Sequence, residues 1–282
     1  MRFFIIGLVI FFIGAYIATI ALYAKSGCGC PRPLIEDQSA PDGTSVTISL
    51  EDLQSVKGAL TANVTVQPGA GLLDPQTHGL NADLSVVIHS SVSPSKRTWT
   101  AGMTPGVYPV PLTISGDPSN WPFDRYRTGP ISVDIIRGGA SVAQRVPVNF
   151  VDRVPGWLLA VSPVSGGATP ALYRVELHRS PSTAAFGAVI VGVLIAIAGV
   201  SLFVAVQTLR NKRKFQPPMT TWYAAMLFAV VPLRNALPDS PPIGSWLDVT
   251  VTLWVIVVVV MSMLIYISCW WRHLRPEAEK PA

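Results

Sequence analysis

Charge is scarce in this chain of 282 residues: 13% of them are Asp, Glu, Lys or Arg, where soluble domains carry about 25%. That shortage is a membrane signature. Cysteine is scarcer. Cys28 and Cys30 have a single residue between them, which strains a mutual disulfide, and two thiols alone make a poor metal site. Cys269 lies in an apolar run and reads as an inert thiol. His78, His89, His178 and His273 have no ligand spacing. Phosphate-binding glycine loops, nucleophile elbows and metalloprotease motifs are all missing. The sequence therefore gives no catalytic residue, no metal site and no cofactor, and predicts a protein that is not an enzyme.

Apolar residues make up 50% of the chain. They concentrate in stretches 3–23, 184–209, 219–237 and 246–271, each close to or beyond the roughly 20 residues that cross a bilayer as a helix. The expected fold class is a mixed membrane protein, with four transmembrane α-helices and one exoplasmic antiparallel β-sandwich domain. The expected organisation is a transmembrane anchor at 1–24, a Pro/Gly/Ser-rich tether at 25–43 and the β-domain at 44–182. A helix follows at 183–209, then a basic cytoplasmic loop at 210–218 and a helix at 219–237. An outer loop at 238–245, a last helix at 246–271 and a cytoplasmic tail at 272–282 complete it. The first stretch is longer than the apolar core of a signal peptide, which favours a retained anchor over a cleaved leader.

Net charge is +5, but basic and acidic residues are equal in number between 25 and 182. The excess flanks the apolar runs, in Arg2, Arg210, Lys212, Arg213, Lys214, Arg272 and Arg275. This distribution predicts both termini on the cytoplasmic side of a plasma membrane. It also argues against nucleic acid as a partner, which needs a basic stripe on the folded domain. Trp222, Tyr223, Trp246, Trp270 and Trp271 sit at ends of the runs, where interfaces favour amphipathic rings.

Within the polar segment, residues 45–50, 62–66, 84–89, 131–136, 146–151 and 172–179 alternate or are rich in β-branched side chains. Turn clusters such as Gln67-Pro68-Gly69 and Gly116-Asp117-Pro118 punctuate them. Short strands with such turns read as a sandwich.

Three sets of residues are candidates for function. The string Trp121-Pro122-Phe123-Asp124-Arg125-Tyr126-Arg127 reads as a rigid loop, with Asp124 able to pair with Arg125 or Arg127. Its sharper reading is a coupling loop made by Trp121, Pro122, Phe123, Asp124, Arg125 and Arg127. A similar aromatic-Pro-Phe-Asp string occurs in pentameric ligand-gated channels, between β-domain and membrane. Next, Arg234 near the outer end of the third apolar run needs to snorkel or to pair, with Asp248 or Asp239 as partner. Last, Ala184, Ala188, Gly192 and Ala196 recur every four residues and predict close helix packing, within this chain or against a second subunit. The fourth run has no such stripe and is expected to face lipid.

The string Trp121–Arg127, the run Val231-Pro232-Leu233-Arg234-Asn235-Ala236-Leu237-Pro238 and the segment from Pro241 to Val249 resemble a bacterial membrane family. It is the family of domain of unknown function 4436, best represented in actinobacteria. The resemblance implies the helix, domain and three-helix plan over most of the chain, places Arg234 and Asp248 in the signature, and brings no activity. The leading reading, motivated by the small-residue stripe and the tether, is a non-enzymatic accessory or scaffold subunit whose β-domain binds an envelope partner. The alternatives are a channel- or transporter-like protein with a ligand-sensing β-domain, and a lipid or cell-wall binding module. Expected partners are membrane lipids and a protein partner in a membrane complex or homo-oligomer.

Overall fold

The computed structural model describes residues 2–26, 31–36, 39–40, 42–90, 94–138, 140, 142–164, 172–212, 216 and 218–273. The chain divides into two compact units. One is Met1–Pro118 with Pro122–Thr183, and the other is Ser119–Trp121 with Ala184–Ala282.

The first unit holds helix α1 (Arg2–Ser26) and the strands β1 (Arg32–Ile35), β2 (Ser45–Gln54), β3 (Ala59–Gln67), β4 (Leu84–His89), β5 (Ser95–Trp99) and β6 (Tyr108–Gly116). It continues with β7 (Arg125–Thr128), β8 (Ser132–Arg137), β9 (Gln144–Val146), β10 (Val148–Asp152), β11 (Trp157–Val164) and β12 (Leu172–Arg179). Alternation is what builds them. Val46, Ile48 and Leu50 of β2 are buried, as are Leu60, Ala62, Val64 and Val66 of β3, while the residues between them stay partly exposed. Burying each such side chain is worth about 1.5–3 kcal/mol. A slip of one residue would put Thr47 and Ser49 in the core instead, so the pattern fixes the register.

Eight strands form one sheet in the order β1-β10-β2-β3-β6-β7-β12-β11, and four form another in the order β5-β4-β8-β9. The all-antiparallel sandwich is corrected on two points. Strand β10 runs parallel to β2, from Val148 opposite Val46 to Asp152 opposite Leu50, so the large sheet is mixed. Its outermost strands β1 and β11 also approach each other, so that sheet curls nearly into a barrel. Period-2 patterning reports which face of a strand is buried and carries nothing about the direction of its neighbour. The core is continuous from Val46 to Leu177, with Phe150 tilted on Tyr173 at 5.1 Å between ring centroids.

The expectation of four membrane-spanning helices is also overturned. Among the described residues, two helices are long and apolar enough to cross a membrane, Pro181–Leu209 and Asp248–Cys269. Helix α1 offers only the shorter apolar segment Ile13–Ala24. The stretch at 219–237 forms α3 (Pro218–Asn235), whose Pro218, Thr220, Thr221, Pro232, Arg234 and Asn235 dilute its apolar character. Helix α2 (Pro181–Leu209) follows β12 with Ser180 alone between them. A π turn, Asp248–Thr252, leads into α4 (Leu253–His273).

Within the helical unit, Leu194 and Ala198 of α2, Val230 of α3, and Val255 and Val259 of α4 form one apolar cluster. The Tyr223 hydroxyl donates to the Ser201 carbonyl at 2.9 Å. Two expectations change here. Ala188, Gly192 and Ala196 are exposed, and nothing lies within 4 Å of a side chain placed at Gly192. Among the described residues the buried face of α2 is formed instead by Ile190, Leu194, Ala198, Ser201 and Ala205. The fourth run, for its part, has an inward face of Val255, Val259, Ser262 and Tyr266.

Candidate functional site

Strand β7 is short, and its alternation decides the role of each residue around it. Tyr126 and Thr128 point into the core, while Arg125 and Arg127 point out. Asp124, just before the strand, is 1% exposed. Its carboxylate is gripped by Arg179 at the end of β12, with Nε donating to Oδ1 at 2.6 Å and Nη2 to Oδ2 at 3.0 Å. The guanidinium also stacks 4.4 Å from the centroid of Trp157. Neither Arg125 nor Arg127 is the partner, because alternation aims both away. Burial and the Asp124 carboxylate push the Tyr126 phenol far above its ordinary pKa. This cluster locks β7 to β12. It was half legible in sequence: Tyr173, Val175, Leu177 and Arg179 alternate, so an arginine falls on an apolar face and demands a buried anion.

The outward faces of the same strands make a groove. His178 stands opposite Arg125, and Glu176 opposite Arg127. On the other side of β7, Ser115 of β6 stands opposite Arg127. Two cavities lie here, one of about 610 Å³ along Ser115, Arg125, Arg127, Glu176 and His178, and one of about 410 Å³ along Thr113, Arg127, Gly129 and Arg174. They share Ser115 and Arg127, so the groove is continuous. Among the described residues, no carboxylate forms an ion pair with Arg125, Arg127 or Arg174. Gly116 gives the groove its floor. A Cβ there would collide with the Arg125 carbonyl and the Tyr126 ring. Arg174, Glu176 and His178 were not singled out in the sequence, though their i, i+2, i+4 spacing marks them as the outer face of a strand.

The remaining residues of the proposed coupling loop separate. Phe123 is 81% exposed. Pro122 is half-buried. Trp121 belongs to the compact unit of the helices, buried with Ile190, Leu237 and Leu247, and its indole N–H donates to the Pro238 carbonyl at 3.2 Å. Gly187 of α2 has no side chain where the Trp121 ring lies, and a Cβ there would strike it.

The helical unit brings Arg234 and Asp248 together. Nε donates to Oδ1 at 2.9 Å and Nη2 to Oδ2 at 2.7 Å. Nη2 also reaches the carbonyls of Pro241 at 2.7 Å and Pro242 at 3.2 Å, while the Gly244 N–H donates to Asp248 at 3.0 Å. The Pro242 carbonyl also accepts from the Ser245 N–H at 3.1 Å. Gly244 has φ +90°, which suits glycine. Asp239 takes a left-handed backbone in the adjacent turn, φ +50°, and is not the partner in this fork. A cavity of about 850 Å³ lies at the other end of the helices, lined by Phe203, Gln207, Thr208, Lys212, Gln216 and Tyr266.

Cys28 and Cys30 lie outside the described residues. Cys269 is buried. His89 and Arg145 both engage Asp134, at 3.0 Å each. Among the described residues no His, Cys, Asp and Glu group is arranged to hold a metal ion.

A mixed β-domain with a cationic outer groove, followed by apolar helices, defines the class of protein. Residues 34–177 match the family described as Domain of unknown function (DUF4436), which covers more than half of the chain, and the chain belongs to that family. Residues 179–273 match a second, Domain of unknown function (DUF8686). The Arg234–Asp248 junction therefore falls in the second match, not in the one first suggested by its residues. No curated protein matches the chain.

Proposed function

We propose that this chain is a membrane-anchored accessory protein of the cell envelope, with a binding role and no catalytic one, whose β-domain engages a partner through the outer face of β6, β7 and β12. The observation that carries the reading is the continuous groove at Ser115 and Arg127, where three arginines stand without an ion-pair partner among the described residues. An excess of basic charge around a concavity is the electrostatic mark of a binding face. Asp124, beside the groove, is neutralised by the Arg179 fork, which supports a structural role for it over a catalytic one. Anchoring rests on the two apolar helices, Pro181–Leu209 and Asp248–Cys269.

The test is site-specific photocrosslinking in intact cells. A benzophenone residue at His178, on the groove opposite Arg125, is expected to give a discrete adduct, and one at Val142, 76% exposed elsewhere on the same unit, is expected to give none. Equal labelling at both positions, or none at His178, refutes the reading.

A further inference from the structure

We propose that the groove binds a phosphodiester-linked chain, with Arg127 at its centre and Arg125 and Arg174 on either side. The inference rests on the binding role proposed above and names the chemistry of its partner.

The sheet lattice sets the spacing. Arg125 and Arg127 are two residues apart on β7, about 7 Å along the strand. Arg174 precedes Glu176 by two residues on β12, and Glu176 faces Arg127, so Arg174 is a diagonal neighbour of Arg127 at roughly 7–8 Å. Arginine side chains span that distance, so the three guanidinium groups can converge on one anion from two strands. A carboxylate is planar and offers its two oxygens along one edge, as Asp124 does to Arg179. A phosphate is tetrahedral, so it can accept from forks on different strands at once. The groove extends beyond a single phosphate, with one cavity on each side of Arg127. That length fits a chain and not an isolated ion. Among the described residues Glu176 is the one acid lining the groove, Asp117 follows the end of β6, and His178 faces Arg125. Ser115 and the backbone at Gly116 and Gly129 leave room for the uncharged links between phosphates.

The experiment is fluorescence anisotropy of the full chain in detergent with a labelled glycerol-phosphate oligomer, beside inorganic phosphate and polyglutamate as competitors. Binding is expected to fall steeply with salt, as displaced counterions require. Arg127→Gln and Arg174→Gln are each expected to weaken it about tenfold. Glu176→Gln is expected to tighten it about twofold, because it removes a repulsive charge. Melting curves of the Arg127 and Glu176 variants should match the parent, since both side chains are exposed, and that of the half-buried Arg174 should lie close to it. Polyglutamate and inorganic phosphate should compete only weakly. The inference is overturned by binding that the arginine variants leave intact, by equal competition from polyglutamate, or by no binding at all. If crosslinking at His178 yields only a protein adduct, the partner reading stands and the phosphodiester falls.

Discussion

At the residue scale, the strongest claim concerns Asp124 and Arg179. Both are buried, and each satisfies the other in a fork. Removing one partner strands a charge, which typically costs about 3–5 kcal/mol. Asp124→Ala is therefore expected to lower the unfolding free energy by that amount, read from the shift in denaturant midpoint. The pair Asp124→Leu with Arg179→Met should recover much of the loss, and a double-mutant cycle measures the difference. The pH dependence has two opposing contributors. Burial pushes Asp42 up, but hydrogen bonds from the Thr44 hydroxyl and N–H, together with Arg137, hold it below 3.8. Its contribution is complete above that value and is lost as pH falls through the lowered one. Asp152 goes the other way: burial raises it above 3.8, against the Val154 N–H and Arg32. The folded state then holds a proton that the unfolded state releases, so stability declines as pH rises through that window. Melting temperatures between pH 3 and 7 should fall less on the acid side in Asp42→Asn. In Asp152→Asn they should be higher than the parent at pH 7, because an amide oxygen still accepts from Val154.

At the scale of elements, the strands that alternate cleanly were legible, and those that carry proline or charge were not. Runs 45–50, 84–89 and 172–179 lie within β2, β4 and β12 or coincide with them. Strand β6 was hidden by Pro109 and Pro111, which take exposed places while Tyr108, Val110, Leu112 and Ile114 fill the core. Strand β5, Ser-Lys-Arg-Thr-Trp, was hidden by polarity, with Trp99 as its one buried side chain. The groove was illegible for a related reason: its residues come from three strands that only the pairing brings side by side. The fork of Arg234 with Asp248 was legible because an arginine in an apolar run admits few partners. Gly116 tests the join between β6 and β7. Its replacement by alanine should cost about 1–3 kcal/mol, the usual range for overpacking, and should weaken ligand binding at the groove by displacing Arg125. Unfolding and anisotropy on the same variant check both effects.

At the scale of the whole molecule, apolar content was a sound guide to where helices form and a poor one to how many could span a bilayer. Hydropathy in 219–237 is punctured by Pro232, Arg234 and Asn235, residues that the helical unit uses for its own junction. The two remaining helices predict tight membrane association. After alkaline carbonate extraction the chain should sediment with the membranes; recovery in the supernatant would sink the anchoring proposed above. The balance of charge between 25 and 182 also has an effect. With no net field from the domain, attraction of a polyanion depends on the local arginines, so binding should respond to single substitutions at the groove far more than to changes elsewhere on the surface.

The parallel pairing of β2 with β10 also has a meaning for synthesis. Val46 leaves the ribosome long before Val148, its partner, exists. Strands β2, β3 and β6 can pair in order of appearance, but one edge of β2 must wait until β10 arrives. Strand β1 waits with it, since its neighbour in the sheet is β10. The first strand of the domain is thus among the last to be fastened, and the unpaired edge of β2 is the nascent chain's most exposed template for pairing with another copy. Speed of translation across 68–147, more than any contact in the finished fold, sets how long that edge stays open.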